Sequence, residues 1–335
     1  MNEYITKVAD RITDFSDTDW AMDIEHFDWV PAVGLYGVYH AYKKTENKKY
    51  LDYLISWTNR HLNEAYAQKT VNSTAPLLTV IELYKETENP EYLKVCKGMG
   101  NYILNKAPRT IDGGLEHTVT EPVPGFADQI WADTLFMVCV FMAKLGEVTG
   151  EKKYTDFAAE QLCIHHRLLT DGNGLYFHGY NGAQKNHMSG VRWGRANAWI
   201  VYSTAEIINI AGDFKGRENV IAALKKHIEA LKNVQRADGG FGTILDDDDS
   251  YTEISATAGI IAGIKNAISY GLVDDEYITV YEKGIEAVKK AIAEDGSVTG
   301  VSTGTPVMPD AEAYKKIPCC PTLYGQGLAI IALAG

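Results

Sequence analysis

Two kinds of helix-period segment alternate along this chain. One set, near residues 31–44, 74–86, 130–147, 195–211, 253–269 and 322–334, is small and apolar almost all round. The other is amphipathic and rich in Lys and Glu, as in Arg217 to Val234 and Asp275 to Ala293. A helix apolar on every side must be buried, whereas one with a single apolar stripe lies at a surface. The first set is therefore expected inside and the second outside, in about six pairs and roughly twelve helices. A recurring phrase marks the joints: Thr45-Glu46-Asn47, Thr87-Glu88-Asn89 and Thr149-Gly150, each followed closely by Tyr50, Tyr92 or Tyr154. The Asn or Gly is read as the stop of one helix and the Tyr as the start of the next apolar stripe.

An open solenoid of such pairs needs polar caps at its ends. The last helix, Gly327 to Ala334, is wholly apolar, and closure into a ring buries it. The pattern thus predicts an all-α (α/α)6 toroid. No Pro-, Gly- or Ser-rich linker interrupts it, so residues 1–335 are expected to form a single domain. The Gly-rich stretches 111–115, 171–178, 238–242 and 294–298 each follow an outer helix and precede an inner one. All should emerge at one end of the ring, where a pocket is expected.

Composition narrows the functions. A formal net charge of −12 argues against nucleic acid as a partner, because counterion release needs a basic surface. Residues 1–10 lack a basic n-region and an apolar h-region, and no apolar run approaches bilayer length, so a cytoplasmic protein without membrane contact is expected. Five cysteines, with Cys319-Cys320 adjacent and no C-x₂-C spacing, read as reduced thiols rather than a metal site. Asp246 to Asp249 lacks EF-hand spacing and reads as a solvated acidic loop. Neither metal nor cofactor is expected.

The first candidate for chemistry is Asp133, set among Trp131, Leu135, Phe136 and Met137. It is read in the N-terminal half of the third inner helix, with Gln129 one turn before it and Met137 one turn after. Burial would raise its pKa from about 3.9, and a two-unit rise is worth roughly 2.7 kcal/mol. A carboxyl tuned that way can protonate a substrate near neutral pH; the competing reading is a helix cap or an Arg partner. A second constellation opens the fourth inner helix, where Trp193, Arg195 and Trp199 crowd a start rich in Gly and Ala. Aromatic faces suit sugar C–H surfaces and an Arg fork suits a carboxylate; core packing is the competing reading. His178 lies in a loop at the expected pocket end, with His187 near the same mouth, and His165-His166 ends an outer helix as a dipole partner.

Taken together, Trp131 to Met137, Leu175 to Tyr180, the stretch Trp193-Gly194-Arg195-Ala196-Asn197-Ala198-Trp199, Ser250 to Thr257 and Tyr324 to Gly327 resemble glycoside hydrolase family 105. The resemblance covers nearly the whole chain. Members of that family are unsaturated rhamnogalacturonyl or glucuronyl hydrolases with the (α/α)6 fold. They protonate C4 of a 4,5-unsaturated uronic acid and direct water to C5. The resemblance implies Asp133 as proton donor, and His178, Arg195 and Trp199 around the unsaturated sugar. Arg195 is the implied carboxylate partner, and Trp193 and Trp29 the implied walls. Gln129 and Asn72 complete the expected substrate-binding set. The chain departs from the pattern at Asn72, where many relatives carry Asp, and at Ala196 and Ala198, where Gly is common. The implied partner is an oligosaccharide ending in an unsaturated uronic acid. A sugar epimerase and a non-catalytic glycan-binding toroid are the alternatives from other classes.

Overall fold

The computed structural model describes every residue except Thr18, Pro122 and Pro124. Its helices run in chain order as α1 (Asn2–Thr13), α2 (Trp29–Thr45), α3 (Lys48–Arg60), α4 (Leu62–Ala67), α5 (Val71–Thr74), α6 (Leu77–Thr87) and α7 (Pro90–Asn105). Then follow strand β1 (Gln129–Trp131), a π-helical turn (Leu135–Val140), α8 (Phe141–Thr149), α9 (Lys152–Leu169) and strand β2 (Gly179–Asn181). The remainder is α10 (Gly194–Ala211), α11 (Arg217–Val234), α12 (Ile254–Ser269), α13 (Ile278–Lys290), α14 (Ala311–Lys315) and α15 (Leu323–Ala334).

The inner ring is α2, α6, α8, α10, α12 and α15, in that order, and α15 packs back against α2. The outer layer is α3, α7, α9, α11 and α13, each beside the inner helix it follows, with α1 covering α15 and α2. The expected (α/α)6 toroid is the observed architecture. Its closing seam is glycine-dependent: a Cβ on Gly327 would sit 2.0 Å from the Val33 carbonyl, and one on Gly37 would sit 2.5 Å from Gly327 Cα. The buried apolar residues from all inner helices form one contiguous cluster.

Three details differ from the sequence reading. At the joints Glu46 and Glu88 take the left-handed conformation that ends the inner helix. Asn47 and Asn89 instead cap the following outer helices, accepting from the amides of Lys49 and Glu91, because a short side-chain carbonyl satisfies a free N-terminal N–H. Residues 129–131, read as helical, pair antiparallel with Asn181–Gly179. His165 and His166 do not face a solvated helix end. They are buried, His166 between Tyr176 Oη at 2.6 Å and Thr204 Oγ1 at 2.8 Å.

The end of the ring away from the long loops is closed by a buried ionic cluster. Lys144 Nζ lies 2.6 Å from Glu82 and 3.8 Å from Glu206, and Tyr39 and Tyr270 donate to the two carboxylates. Burial raises the Glu82 carboxyl, and Lys144 together with Lys85 more than reverses it, so Glu82 is held ionised. The long connections at the opposite end carry the pocket.

Candidate active site

The pocket of interest holds about 250 Å³ and is lined by Trp20, Trp29, Asn72, His117, Asp133 and Arg195, among others. That is below the range of roughly 300–1,000 Å³ for drug-sized ligands, and it suits one sugar ring at its base. A larger groove of about 1190 Å³ lies among α7, α9 and α11. It opens between outer helices, far from the convergent polar groups, and we take the smaller pocket as the site.

Each wall comes from a different connection. Trp29 opens α2 and stacks on Tyr324 of α15, with ring centroids 4.8 Å apart. Asn72 sits in α5, whose start is fixed by a capping box between Thr70 and Ser73. The loop before β1 contributes His117, Glu121 and Phe126, and Gly304 to Pro306 close the far side. Trp193 is held by a backbone bridge to Ile244, with the Gly194 amide donating to the Thr243 carbonyl. Its buried Nε1 has no hydrogen-bond partner among the described residues.

The β1–β2 ladder brings the central pair together. Immediately beyond Trp131 opposite Gly179, the Ala132 amide donates to the His178 carbonyl at 2.9 Å, so Asp133 and His178 become neighbours. Nε2 of His178 lies 3.2 Å from Oδ2 of Asp133. The contact is too poorly aligned for a full hydrogen bond, and both buried atoms lack any other partner. Buried polar atoms are nearly always satisfied in folded proteins, so two facing each other at a pocket floor mark a functional place. The Asp133 side chain is 15% exposed. Since Oδ2 is enclosed, the exposed part includes the oxygen that faces the pocket, Oδ1.

Electrostatics correct the expected raised pKa of Asp133. Burial does raise it, but His178, His117 and Arg195 outweigh burial and hold the carboxyl below the usual carboxylate range. His117 is stacked face to face on Trp131 at 4.1 Å, and burial lowers its pKa to about 4, so it is neutral at physiological pH. Burial likewise lowers the pKa of His178, with Asp133 opposing. A second unusual carboxyl lines a neighbouring cavity beside Trp20. Asp28, the N-cap of α2, is raised to about 7 by burial, with the charge of Glu121 adding to it.

The structure brings Asp133, Trp29, Asn72, Trp193 and Arg195 to one pocket. Three other expected members stand elsewhere. Trp199 is fully buried and packs on Phe136 with centroids 4.7 Å apart, because position 199 turns toward the ring core rather than the mouth. Gln129 sits in a strand, not one helical turn before Asp133, and its Oε1 accepts from Trp131 Nε1 at 3.0 Å. His178 is wholly buried behind Asp133 rather than in an open loop. His187 stacks on Phe177 and bonds to the Leu168 carbonyl, away from the mouth.

Arg195 lines the pocket but lacks a free fork. Its Nη1 donates to Ser255 and Ser302, and Nη2 to the Thr303 carbonyl and Thr305 Oγ1. The guanidinium also lies 3.5 Å from wholly buried Glu253 and between the rings of Trp193 and Tyr324. The terminal N–H groups are therefore engaged within the protein. Arg195 fastens the 302–305 wall of the pocket.

His117, Phe126 and the 304–306 wall escaped the sequence reading because they lie in aperiodic loops. Asn197 was passed over within its own motif. It clamps the backbone of Tyr176 through both amide atoms, at 3.0 and 2.9 Å, and so holds the segment leading to His178.

Comparison with known proteins places the chain in a family. The family model described as Glycosyl Hydrolase Family 88 matches residues 4–335. The unsaturated rhamnogalacturonyl hydrolase YesR of Bacillus subtilis is 36% identical over 335 residues, covering 99% of this chain and 94% of its own. An unsaturated 3S-rhamnoglycuronyl hydrolase of an Alteromonas species is 30% identical over 60% of this chain and 49% of its own. A crystal structure of a possible GH105 member from Salmonella enterica superposes with a TM-score of 0.93 at 30% identity, covering 99% of this chain and 92% of that one. The chain therefore belongs to the glycosyl hydrolase family 88 and 105 group, and it is a glycoside hydrolase of the unsaturated uronyl type.

Proposed function

We propose that the enzyme removes a 4,5-unsaturated uronic acid from the non-reducing end of oligosaccharides derived from rhamnogalacturonan, with Asp133 as the catalytic group. The single observation that carries this reading is the Asp133 carboxylate, with only His178 beside it at 3.2 Å, at the floor of a small pocket walled by Trp29 and Trp193. The relationship to YesR supports rhamnogalacturonan as the source.

In this reading Asp133 gives its proton to C4 of the vinyl ether, and positive charge develops at C5 and the ring oxygen. Water adds at C5, and its proton returns to the Asp133 carboxylate just formed. Asn72 is an amide and cannot take that proton, but it can orient the water. The net change is addition of one water, giving a hemiketal that opens to a ketone and expels the remaining sugar from C1. Separation rules for paired carboxylates flanking a glycosidic bond do not apply to such a route.

The depressed pKa of Asp133 is set by the protein's own groups. A bound uronate brings a second negative charge and excludes water, and both effects favour the protonated carboxyl. The proposed set is Asp133 for catalysis and Trp29, Asn72 and Trp193 for binding, in one catalytic domain spanning residues 1–335. No described helix is long and apolar enough to cross a membrane. Five free cysteines, one of them exposed, favour a reducing compartment, and we propose the cytoplasm.

The test is the ultraviolet absorbance of the C4=C5 bond with rhamnogalacturonan, ulvan and heparin oligosaccharides made by lyases. Decay on the first alone supports the reading. Decay only on ulvan or heparin fragments would overturn the substrate, and release of product with the double bond intact would overturn the chemistry.

A further inference from the structure

Behind the Asp133 carboxylate, the buried polar chain continues. His178 Nδ1 lies 2.8 Å from Tyr314 Oη, and both side chains are fully enclosed. Tyr314 belongs to α14, a short helix with no place in the ring. Two contacts pin it: Asp310 caps the helix by accepting from the Ala313 amide, and Lys315 pairs with Asp247 at 2.6 Å. The acidic loop at 246–249 thus anchors this helix.

A neutral imidazole carries one proton, and the partner of one nitrogen decides what the other presents. Burial raises the Tyr314 hydroxyl well above its ordinary pKa, so it keeps its proton. Among the described residues its oxygen makes no hydrogen bond other than the one with His178. The Tyr314 proton is then free to point at His178 Nδ1. Were Nδ1 protonated instead, a bare Nε2 would face an ionised Asp133 oxygen at 3.2 Å, two lone pairs opposed.

We propose that Tyr314 is a positioning residue for Asp133: its hydroxyl donates to His178 Nδ1, fixes the Nε2–H tautomer, and so reserves Asp133 Oδ1 for the proton delivered to substrate. The proposal rests on the reading of Asp133 as the acid. An Nε2–H placed 3.2 Å from Oδ2, though not aligned as a full hydrogen bond, disfavours a proton on that oxygen and leaves it for the one that faces the pocket. The other charged or titratable groups around the pair are His117 from the loop before β1 and Arg195 from α10, with Glu253 behind the latter. Tyr314 touches neither Arg195 nor His117 through its hydroxyl, so the tautomer of His178 is the variable that Tyr314 controls.

The experiment pairs two readouts on the full chain. Nitrogen-15 spectra of the imidazoles, with His178→Gln assigning the resonances, should show His178 in the Nε2–H form in the wild type and a mixture in Tyr314→Phe. In the same variant kcat should fall about tenfold with KM within about twofold, since a misplaced tautomer impairs proton delivery and not binding. Loss of the Nε2–H bias also weakens the support for ionised Asp133. The alkaline limb of kcat should therefore move up by about one pH unit. A purely structural hydrogen bond would lower the melting temperature without moving that limb. A wild-type spectrum showing the Nδ1–H form overturns the proposal, and so does an unchanged pH profile in Tyr314→Phe. The wild-type spectrum remains decisive if the variant folds poorly. Full turnover in Asp133→Asn would remove the catalytic reading while leaving the tautomer signal in place, so the two failures can be told apart.

Discussion

At Asp133 two opposing effects meet, and their balance sets how the enzyme responds to pH. Burial favours the protonated carboxyl, whereas His178, His117 and Arg195 favour the ionised one and prevail. The acid form is therefore lost as pH rises through a low value in the free enzyme, and through a higher one once an anionic sugar is bound. Profiles against pH should accordingly show the alkaline limb of kcat at higher pH than that of kcat/KM, which reports the free enzyme. Coincident limbs would contradict the account. Arg195 makes a second prediction at this scale. Truncation to Ala strips wholly buried Glu253 of its cation, so Arg195→Ala should lose about 3–5 kcal/mol in chemical denaturation. A stable variant with only a raised KM would restore the role of substrate fork. Asp133 stood out in the sequence as a candidate, since a lone carboxylate among Trp, Leu, Phe and Met has few bland explanations, and the structure places it in the pocket. The direction of its pKa was not, because that depends on His117 and His178, which reach it from separate loops.

Elements were legible where periodicity is strong. The inner helices were placed within a few residues, because nearly continuous apolar surface has one solution, burial on all sides. The misreading at 129–131 has a physical cause. Ile130, Trp131 and Ala132 carry the same apolar character as the helix that follows, and only pairing with residues 179–181, some 50 positions away, makes them a strand. A contact at that separation leaves no local trace, and the expected face shared by Gln129 and Asp133 dissolves with it. The π-helical turn at Leu135–Val140 was equally silent. Such turns commonly occur at functional sites, and here Met137 within it lines the pocket. The α2–α15 seam yields the prediction for this scale. Backbones meet there at Gly327, and a methyl group would strike the Val33 carbonyl. Gly327→Ala should cost about 3 kcal/mol or more, read as a lower denaturation midpoint. Gly98, whose added Cβ would meet nothing within 4 Å, supplies the control: Gly98→Ala should be neutral or slightly stabilising, as expected for an open helical site.

Across the whole molecule the chain divides its labour between two ends of one ring. One end is sealed by Lys144, Glu82 and Glu206, so it offers no passage. The other carries the long loops, whose Gly-rich, irregular composition announced them. The apolar character of residues 327–334 also announced closure, since an exposed terminal helix of that composition would not be tolerated. What the sequence could not convey is how far the loops converge, because the walls at 20, 72, 117, 193 and 305 meet only once six helix pairs have closed. The pocket's small volume of about 250 Å³ fits removal of a terminal sugar rather than cleavage within a chain.

The central claim is that Asp133 protonates the double bond of an unsaturated uronic acid. It is tested most directly by following ultraviolet absorbance at the C4=C5 bond on lyase-derived rhamnogalacturonan oligosaccharides, wild type against Asp133→Asn, with the fold of both checked by circular dichroism. The account predicts loss of absorbance with wild type and at least about a hundredfold slower loss with the folded variant. Near-wild-type turnover by Asp133→Asn would contradict it.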